Sequence, residues 1–233
     1  MSASQIPDLL TGLATTRAIR RYRDEPIGDD DLSTILWHAT RAPSGSNRQP
    51  FRFVVLRDGP HAQAAKALLG ASFRSSWADK RENDGYASGS GADASSPKAR
   101  AAAAMQHYVD HIEHVPVIVL VCLVRYREPS PYEGASVYPA CQNLLLAARA
   151  LGYGGVLTGW HHPVEPQLRE LLEIPPEVAM SACITLGRPA GSHGPVRRRP
   201  ARDVVFDDVW GASASWAIEP PDARHASWLA RGH

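Results

Sequence analysis

Hydrophobic positions along the chain repeat with two periods, one helical and one strand-like. Between Ile6 and Leu13 the apolar residues recur at helical spacing, which predicts a first amphipathic helix ending near Thr15. A second helix is predicted after Gly28, where three successive aspartates favour the positive N-terminal end of a helix. Further helices are predicted over residues 61–69, 100–114, 138–151 and 165–172, strands over 51–56, 117–123 and 178–186, and a short strand or turn over 154–158. We expect a single α+β domain over residues 1–233, with a central mixed sheet flanked by helices.

Two segments depart from this regular pattern. Residues 71–104 are rich in Ala, Ser, Gly and charged residues, so we expect them to bury little apolar surface and to form an exposed, flexible insertion that acts as a lid. The tail, residues 207–233, carries three of the six tryptophans, Trp210, Trp216 and Trp228. A tail of this kind seldom forms its own core, so we expect it to pack on the body or on a partner.

Composition excludes several classes of protein. The 25 Lys and Arg nearly balance the 24 Asp and Glu, which argues against nucleic acid or an anionic membrane as a partner. Three cysteines without close spacing predict reduced core thiols. The longest apolar run, Val115 to Val124, is about half of the length that a membrane span needs, and the N-terminus lacks the pattern of a signal peptide. We therefore expect a soluble, cytoplasmic protein.

Common catalytic motifs are missing or incomplete. No G-x-S-x-G elbow occurs, and the glycines after Gly152 match neither a dinucleotide fingerprint nor a P-loop. His107, His111 and His114 share one helical face, which is typical of a solvated surface and less often of a metal site; we predict no metal site. The pair His161–His162 indicates a turn with one packed ring or, alternatively, a catalytic base. The lack of a protein nucleophile favours a flavin enzyme, because the reactive atom then belongs to the cofactor.

Four segments in order resemble the nitroreductase family. The first is TRAIRRY at residues 16–22, the second APSGSNRQP at 42–50, the third LGYGGVLTGW at 151–160, and the last LGRP at 186–189 followed by PVRRRP at 195–200. Together they span most of the chain, and the likeness is greatest to actinobacterial members. The resemblance implies a mostly antiparallel sheet and a domain-exchanged homodimer that binds FMN.

The resemblance also implies roles for individual residues. Arg17, Arg197 and Arg198 would bind the FMN phosphate, for which the bidentate guanidinium is suited, although 197–199 is alternatively a solvated basic turn. Arg20, after Ala18 and Ile19 of the same segment, would lie at the pyrimidine edge of the flavin ring or, alternatively, on the surface. Thr16 and Ala18 replace an arginine and a serine of the family pattern, which leaves two polar contacts in doubt.

Two further groups complete the expected flavin site. A loop from the second subunit would contact the ribityl chain and ring, although a plain turn is the alternative; its residues are Pro43, Ser44, Gly45, Asn47 and Gln49. Backbone N–H groups after Gly155 would face the N5 and O4 edge of the ring; their residues are Val156, Leu157, Thr158 and Gly159.

The implied reaction passes hydride from NADPH or NADH through flavin N5 to an electron-poor acceptor, such as a nitroaromatic or a quinone, by a ping-pong mechanism. We weakly favour NADPH because three arginines, Arg48, Arg74 and Arg81, could bind its 2′-phosphate. Candidate substrate contacts in the insertion are Phe73, Trp77 and Tyr86, for which simple packing is the alternative. A protein that sequesters FMN without turnover, or one that catalyses dehalogenation or flavin fragmentation, remains an alternative.

Overall fold

The computed structural model describes residues 8–225. Within that range the α-helices are α1 (Leu9–Thr15), α2 (Asp29–Ala39), α3 (Pro60–Asn83), α4 (Pro97–Asp110), α5 (Tyr138–Ala150) and α6 (Glu165–Leu171). The strands are β1 (Phe51–Leu56), β2 (Val117–Val124), β3 (Gly154–Thr158), β4 (Val178–Gly187), β5 (Arg197–Arg198) and β6 (Arg224–His225).

The central sheet has four strands in the order β1-β2-β4-β3, and all neighbouring pairs are antiparallel. A separate two-stranded sheet pairs β5 with β6 in parallel. The α+β fold with a mostly antiparallel sheet is therefore confirmed, and its parallel pair lies outside the central sheet. Strands β1 and β3 form the two edges, so the loop before β1 and the segment around β3 lie on opposite sides of the sheet.

Two hydrophobic cores cover the two faces of the sheet, and β2 contributes to both. Val117, Val119 and Val121 belong to a core shared with α2 and α5, whereas Ile118 and Leu120 belong to a core shared with α3, α4 and α6. Successive side chains of a strand point to opposite faces, so a strand covered on both sides must be apolar throughout. This explains the continuous apolar run in the sequence.

Most predicted elements begin and end within a few residues of those observed, but the helix predicted to end at residue 69 continues to Asn83. The expected insertion is thus helical at both ends, since α4 already begins at Pro97. Alanine is the strongest helix former, and its abundance here favours helix rather than flexible coil. Phe73 and Trp77 at the start of this segment are nevertheless buried, whereas residues 84–95 are largely exposed, and the role of the segment as a lid stays a prediction.

The aromatic residues of this segment are packed inside the protein. Phe73 and Trp77 follow Leu69 at successive intervals of four residues, so all three lie on the buried face of α3. The Phe73 ring lies 5.6 Å from that of Trp160, and Trp77 donates a 2.9 Å hydrogen bond to the Gln106 side chain. The Tyr86 ring packs against that of Trp77 in a tilted arrangement, with ring centroids 5.1 Å apart. This packing contradicts the prediction that Phe73 and Trp77 contact a substrate and favours a structural role for Tyr86.

Apolar side chains remain exposed at both ends of the described range. In α1 the leucines at 9, 10 and 13 face outward, and in the tail Trp210 is 92% exposed. The tail therefore does not bury this tryptophan on its own body, and Trp228 lies outside the described residues. Within residues 8–225 every helix is too short or too polar to cross a lipid bilayer.

The three cysteines are buried and unpaired, as predicted. Burial raises the pKa of the Cys122 thiol to about 11 and that of Cys183 to about 12. Both thiols are therefore protonated at neutral pH, and neither is suited to act as a nucleophile.

Replacing Phe73 by Ala should destabilise the protein by about 3–5 kcal/mol, because it leaves a cavity in a closely packed core. The matched control is Tyr132→Ala, since Tyr132 is exposed and its loss should change stability by less than about 0.5 kcal/mol. Urea unfolding followed by circular dichroism gives both values. Equal, small losses for the two variants would show that α3 is loosely attached in solution.

Candidate functional site

Four arginines from distant parts of the chain line one cleft of about 530 Å³. Arg17, Arg197 and Arg198 were predicted as phosphate ligands, and the structure brings them together. The fourth, Arg224, was missed because it stands alone in the tail without a motif. Its position follows from the pairing of β5 with β6, in which Arg197 lies opposite Arg224.

Backbone hydrogen bonds attach the C-terminal wall of this arginine cleft to the end of α1. The amide of Gly194 donates to the Thr15 carbonyl at 3.3 Å, and the amide of Val196 donates to the Ala14 carbonyl at 3.2 Å. The segment that carries Arg197 and Arg198 is therefore held beside Arg17. Backbone pairing, rather than contact between the charged side chains, positions the arginines.

The arginine cleft is strongly positive. All four guanidinium-bearing side chains are exposed, and none forms an ion pair with a carboxylate anywhere in residues 8–225. Like charges held close together repel one another, and a bound dianion would offset that repulsion by attracting each guanidinium group. Guanidinium groups are also the side chains best matched to a phosphate through paired hydrogen bonds.

The segment that follows Arg17 crosses the outer edge of β3. The Ile19 amide donates to the Gly155 carbonyl at 3.0 Å, and the Ile19 side chain is buried. A Cβ atom at Gly154 would lie 2.5 Å from this side chain, so only glycine permits the contact. The Ile19 amide is thus bonded to β3 and is not available to a ligand. By anchoring the chain here, Ile19 positions Arg17 before it and Arg20 after it.

Beyond this contact the edge of β3 is open. In an antiparallel ladder, residues two apart direct their backbone groups to the same side. Because the Gly155 carbonyl faces outward to Ile19, the N–H and C=O of Leu157 face outward as well. Val156 is buried in the core, and the Thr158 hydroxyl accepts a hydrogen bond from the Trp160 amide at 3.2 Å. Of the backbone donors predicted from the motif, the Leu157 amide therefore faces the open edge, whereas the amides of Val156 and Thr158 face β4.

Arg20 lies in a second cleft, of about 280 Å³, together with His107, His111 and Tyr108. The rings of His107 and His111 stack at 4.1 Å, and burial, with the neighbouring His111 and Arg21, lowers the pKa of His107. Sequence patterns placed these histidines on one helical face but did not connect them with Arg20.

A buried hydroxyl network lies beneath this second cleft. The Thr185 hydroxyl is 2.8 Å from the Tyr22 hydroxyl and 2.9 Å from that of Tyr108. Burial raises the pKa of Tyr22 and Tyr108, so both phenols stay protonated and act in hydrogen bonding rather than as bases. This network was not predicted, because its members are separated by 77 or more residues along the chain.

The loop before β1 holds a strained conformation. Ser46, Asn47 and Gln49 all have positive φ angles, of 53°, 52° and 49°. The Ser44 hydroxyl accepts from the Gln49 amide at 2.9 Å, and the Gly45 amide donates to the Ser136 hydroxyl at 3.1 Å. Three left-handed residues that are not glycine cost about 1–3 kcal/mol each and are typical of functional loops. The loop exposes Pro43, Asn47 and Gln49 to solvent.

Within one chain, the structure does not bring this loop to the arginine cleft. The loop enters β1 at Phe51, whose neighbour in β2 is Leu123, and the neighbour of Leu123 in β4 is Ala179. On the other side of β4, Leu157 of β3 is the neighbour of Ile184. Three strand spacings across the sheet and five residues along it separate the two points by roughly 20 Å. The two halves of the predicted flavin site therefore lie at diagonally opposite corners of the sheet.

Of the arginines considered for a 2′-phosphate, Arg74 is already engaged. It pairs with Glu113 at 2.8 Å and donates to the Val109 carbonyl. Arg48 lies over the Tyr126 ring at 4.5 Å. Arg74 therefore has a structural role, and two of the three candidate arginines for a 2′-phosphate of NADPH remain, Arg48 and Arg81.

Comparison with known proteins gives a consistent result. A model described as the nitroreductase family matches residues 13–188. A protein of Archaeoglobus fulgidus assigned as an NADH dehydrogenase/NAD(P)H nitroreductase is 31% identical over 186 residues, which cover 78% of this chain and 86% of the relative. A 5,6-dimethylbenzimidazole synthase of Rhodospirillum rubrum is 27% identical, over 76% of this chain and 80% of the relative.

Among solved structures, a nitroreductase of Desulfovibrio desulfuricans in complex with FMN is 28% identical and superposes with a TM-score of 0.63. The match covers 90% of this chain and 99% of that protein. None of these relatives is actinobacterial, so the expected closeness to actinobacterial members gains no support.

Replacing Gln49 by Gly should leave stability unchanged or raise it by up to about 1 kcal/mol, because glycine relieves the left-handed strain while adding entropy to the unfolded chain. The neighbouring Arg48, with φ of −73°, is the matched control, and Arg48→Gly should cost about 1 kcal/mol. Urea unfolding of both variants measures the difference. Equal losses would show that the Gln49 backbone is not strained.

Proposed function

Because the chain belongs to the nitroreductase family, we propose that it is an FMN-dependent oxidoreductase that uses NADPH or NADH to reduce an electron-poor acceptor, such as a nitroaromatic or a quinone. The observation that carries the proposal is the convergence on one cleft, next to the open edge of β3, of four arginines that have no acidic partner among residues 8–225. Three unpaired cysteines are in keeping with a reducing, cytoplasmic location.

The residues present fit FMN at both of its ends. The arginine cleft suits the dianionic phosphate. The outward N–H of Leu157 suits the polar edge of a flat ring, and Gly159, which has no side chain, allows such a ring to come close to the backbone. Arg20 suits an edge on which negative charge gathers. The 28% identical relative crystallised with FMN supports the same ligand.

When bound, FMN supplies hydride transfer between a nicotinamide and the acceptor, and the protein contributes binding, orientation and electrostatics. Arg17, Arg197, Arg198 and Arg224 would hold the phosphate end. The β3 backbone would orient the ring, and the positive charge of Arg20 would favour the reduced, more negative form. The buried phenols and thiols remain protonated at neutral pH, so they supply neither a base nor a nucleophile.

We further propose a homodimer with shared sites. The loop carrying Ser44, Asn47 and Gln49 lies about 20 Å from β3 in its own chain, by the strand spacings of the sheet. A second copy brings such a loop to the open β3 edge. The exposed leucines of α1 and the exposed Trp210 are apolar surface of the kind that a partner covers.

Arg198→Ala should weaken FMN binding about 10- to 150-fold, the equivalent of the roughly 1.5–3 kcal/mol in a charge-assisted hydrogen bond. Arg224→Ala should have an effect of similar size. Riboflavin, which lacks the phosphate, should bind the variants and the wild type alike. The measurement is a fluorescence-quench titration of the apoprotein with each flavin.

Arg199→Ala is the matched control for these variants, because Arg199 is exposed but does not line the cleft. It should leave the affinity for FMN within about twofold, as for other exposed groups without specific contacts. If Arg198→Ala weakened riboflavin and FMN equally, the phosphate would not lie in the arginine cleft.

Mixed dimers test the shared site directly. A chain with Arg198→Ala is combined with a differently tagged chain that carries Asn47→Ala and Gln49→Ala. In a shared-site dimer one of the two sites receives both altered segments and the other receives none, so half of the sites should bind FMN with wild-type affinity. If each chain held its own complete site, every site would be impaired, and light scattering would report whether the mixed species is a dimer at all.

Reduction separates the enzyme from a protein that only sequesters FMN. Under anaerobic conditions, NADPH or NADH should bleach the bound flavin, and a nitroaromatic or a quinone should restore the colour. Persistent yellow would favour sequestration. A colourless protein that binds no added FMN would contradict both functions.

A further inference from the structure

Three metal-ligating side chains converge where β3 leads into α6. The ligating atoms of His161, His162 and Glu165 all lie within 4.8 Å of one another. His162 Nδ1 is 3.5 Å from Glu165 Oε2. None of these residues is among those assigned above to the flavin site.

His161 is the observation that points to a ligand. Its side chain is completely buried, and its Nε2 lies 3.1 Å from the Met180 carbonyl oxygen. A carbonyl oxygen only accepts, so Nε2 carries the proton and, in a neutral ring, Nδ1 carries a lone pair. Within residues 8–225 this Nδ1 is buried without any hydrogen-bond partner. Buried polar atoms are rarely left unpaired, and a metal ion would use this lone pair.

The surroundings orient the Glu165 carboxylate. Arg169 donates to Glu165 Oε1 at 2.8 Å and is itself held by the Pro175 carbonyl. The carboxylate is thereby oriented, and its second oxygen is turned toward His162. The His162 side chain is 60% exposed, which provides a route from solvent. The carbonyl that orients His161 and the guanidinium that orients Glu165 are the kinds of group that support metal ligands in proteins.

We propose that His161, His162 and Glu165 bind a divalent transition-metal ion, of which Zn²⁺ is the best match. Because no two of the three atoms are more than 4.8 Å apart, some point lies within about 2.8 Å of all three, so movements of roughly 0.7 Å reach the usual distance of about 2.1 Å. Two imidazoles and one carboxylate suit Zn²⁺, with water as a fourth ligand, whereas Ca²⁺ and Mg²⁺ prefer oxygen ligands.

The metal would have a structural role distinct from the proposed redox reaction. The three ligands lie two to six residues beyond Gly159, and the Cβ position of Gly159 is within 3.6 Å of the His162 ring. Cross-linking His161 to α6 would fix the turn that ends β3. Binding of the metal ion is measured without reference to the flavin, so the result of that measurement does not depend on the proposed function.

Isothermal titration of the full-length, tag-free protein with Zn²⁺ tests the site. One ion per chain is expected, with no binding of Mg²⁺ or Ca²⁺ under the same conditions. His162→Gln and Glu165→Gln should each weaken Zn²⁺ binding at least about tenfold. Both residues are partly exposed, and glutamine at 165 can still accept from Arg169, so both variants should fold; thermal melting without metal confirms this.

The double variant His107→Gln/His111→Gln is the matched control, because it removes a stacked histidine pair outside the proposed site. It should bind Zn²⁺ like the wild type. Loss of binding in this control with retention in the other two variants would overturn the proposal and assign the metal to the second cleft. The absence of Zn²⁺ binding to the wild type would overturn it as well.

Discussion

The hydrogen bond from the Ile19 amide to the Gly155 carbonyl is the contact on which the candidate site depends. It fastens the N-terminal segment across the outer edge of β3, so that Arg17 and Arg20 are held in two clefts on either side. It also leaves the next outward-facing backbone groups of β3, those of Leu157, open to a ligand. The contact requires glycine at 154, since a Cβ atom there would collide with the Ile19 side chain.

Charge pairing separates the arginines of this protein into two groups. Arg74 and Arg125 each form an ion pair with a glutamate of a neighbouring segment, and Arg169 pairs with Glu165 within α6. The arginines of the cleft have no such partner among residues 8–225, although they are held close together by backbone pairing. A fold that gathers positive charge without compensating it favours an anionic ligand, and the repulsion is relieved when the ligand binds.

Sheet topology keeps the two halves of the proposed flavin site apart within one chain. The loop before β1 and the open edge of β3 lie at opposite corners of an antiparallel sheet. The strain stored at Ser46, Asn47 and Gln49 is maintained by contacts with Ser44 and Ser136 and not by the arginine cleft. Pairing two chains is the simplest arrangement in which both halves meet on one ligand.

The sequence by itself determined the main elements and three of the four arginines of the cleft, because periodicity and short motifs are local properties of the chain. It missed the continuation of α3 beyond residue 69, although Leu69, Phe73 and Trp77 repeat every fourth residue on one helical face. Only the tertiary structure decided the position of Arg224, the hydroxyl network around Thr185 and the unpaired Nδ1 of His161. Each of these depends on which distant segments pair with one another, and that pairing is set by packing in three dimensions rather than by neighbours along the chain.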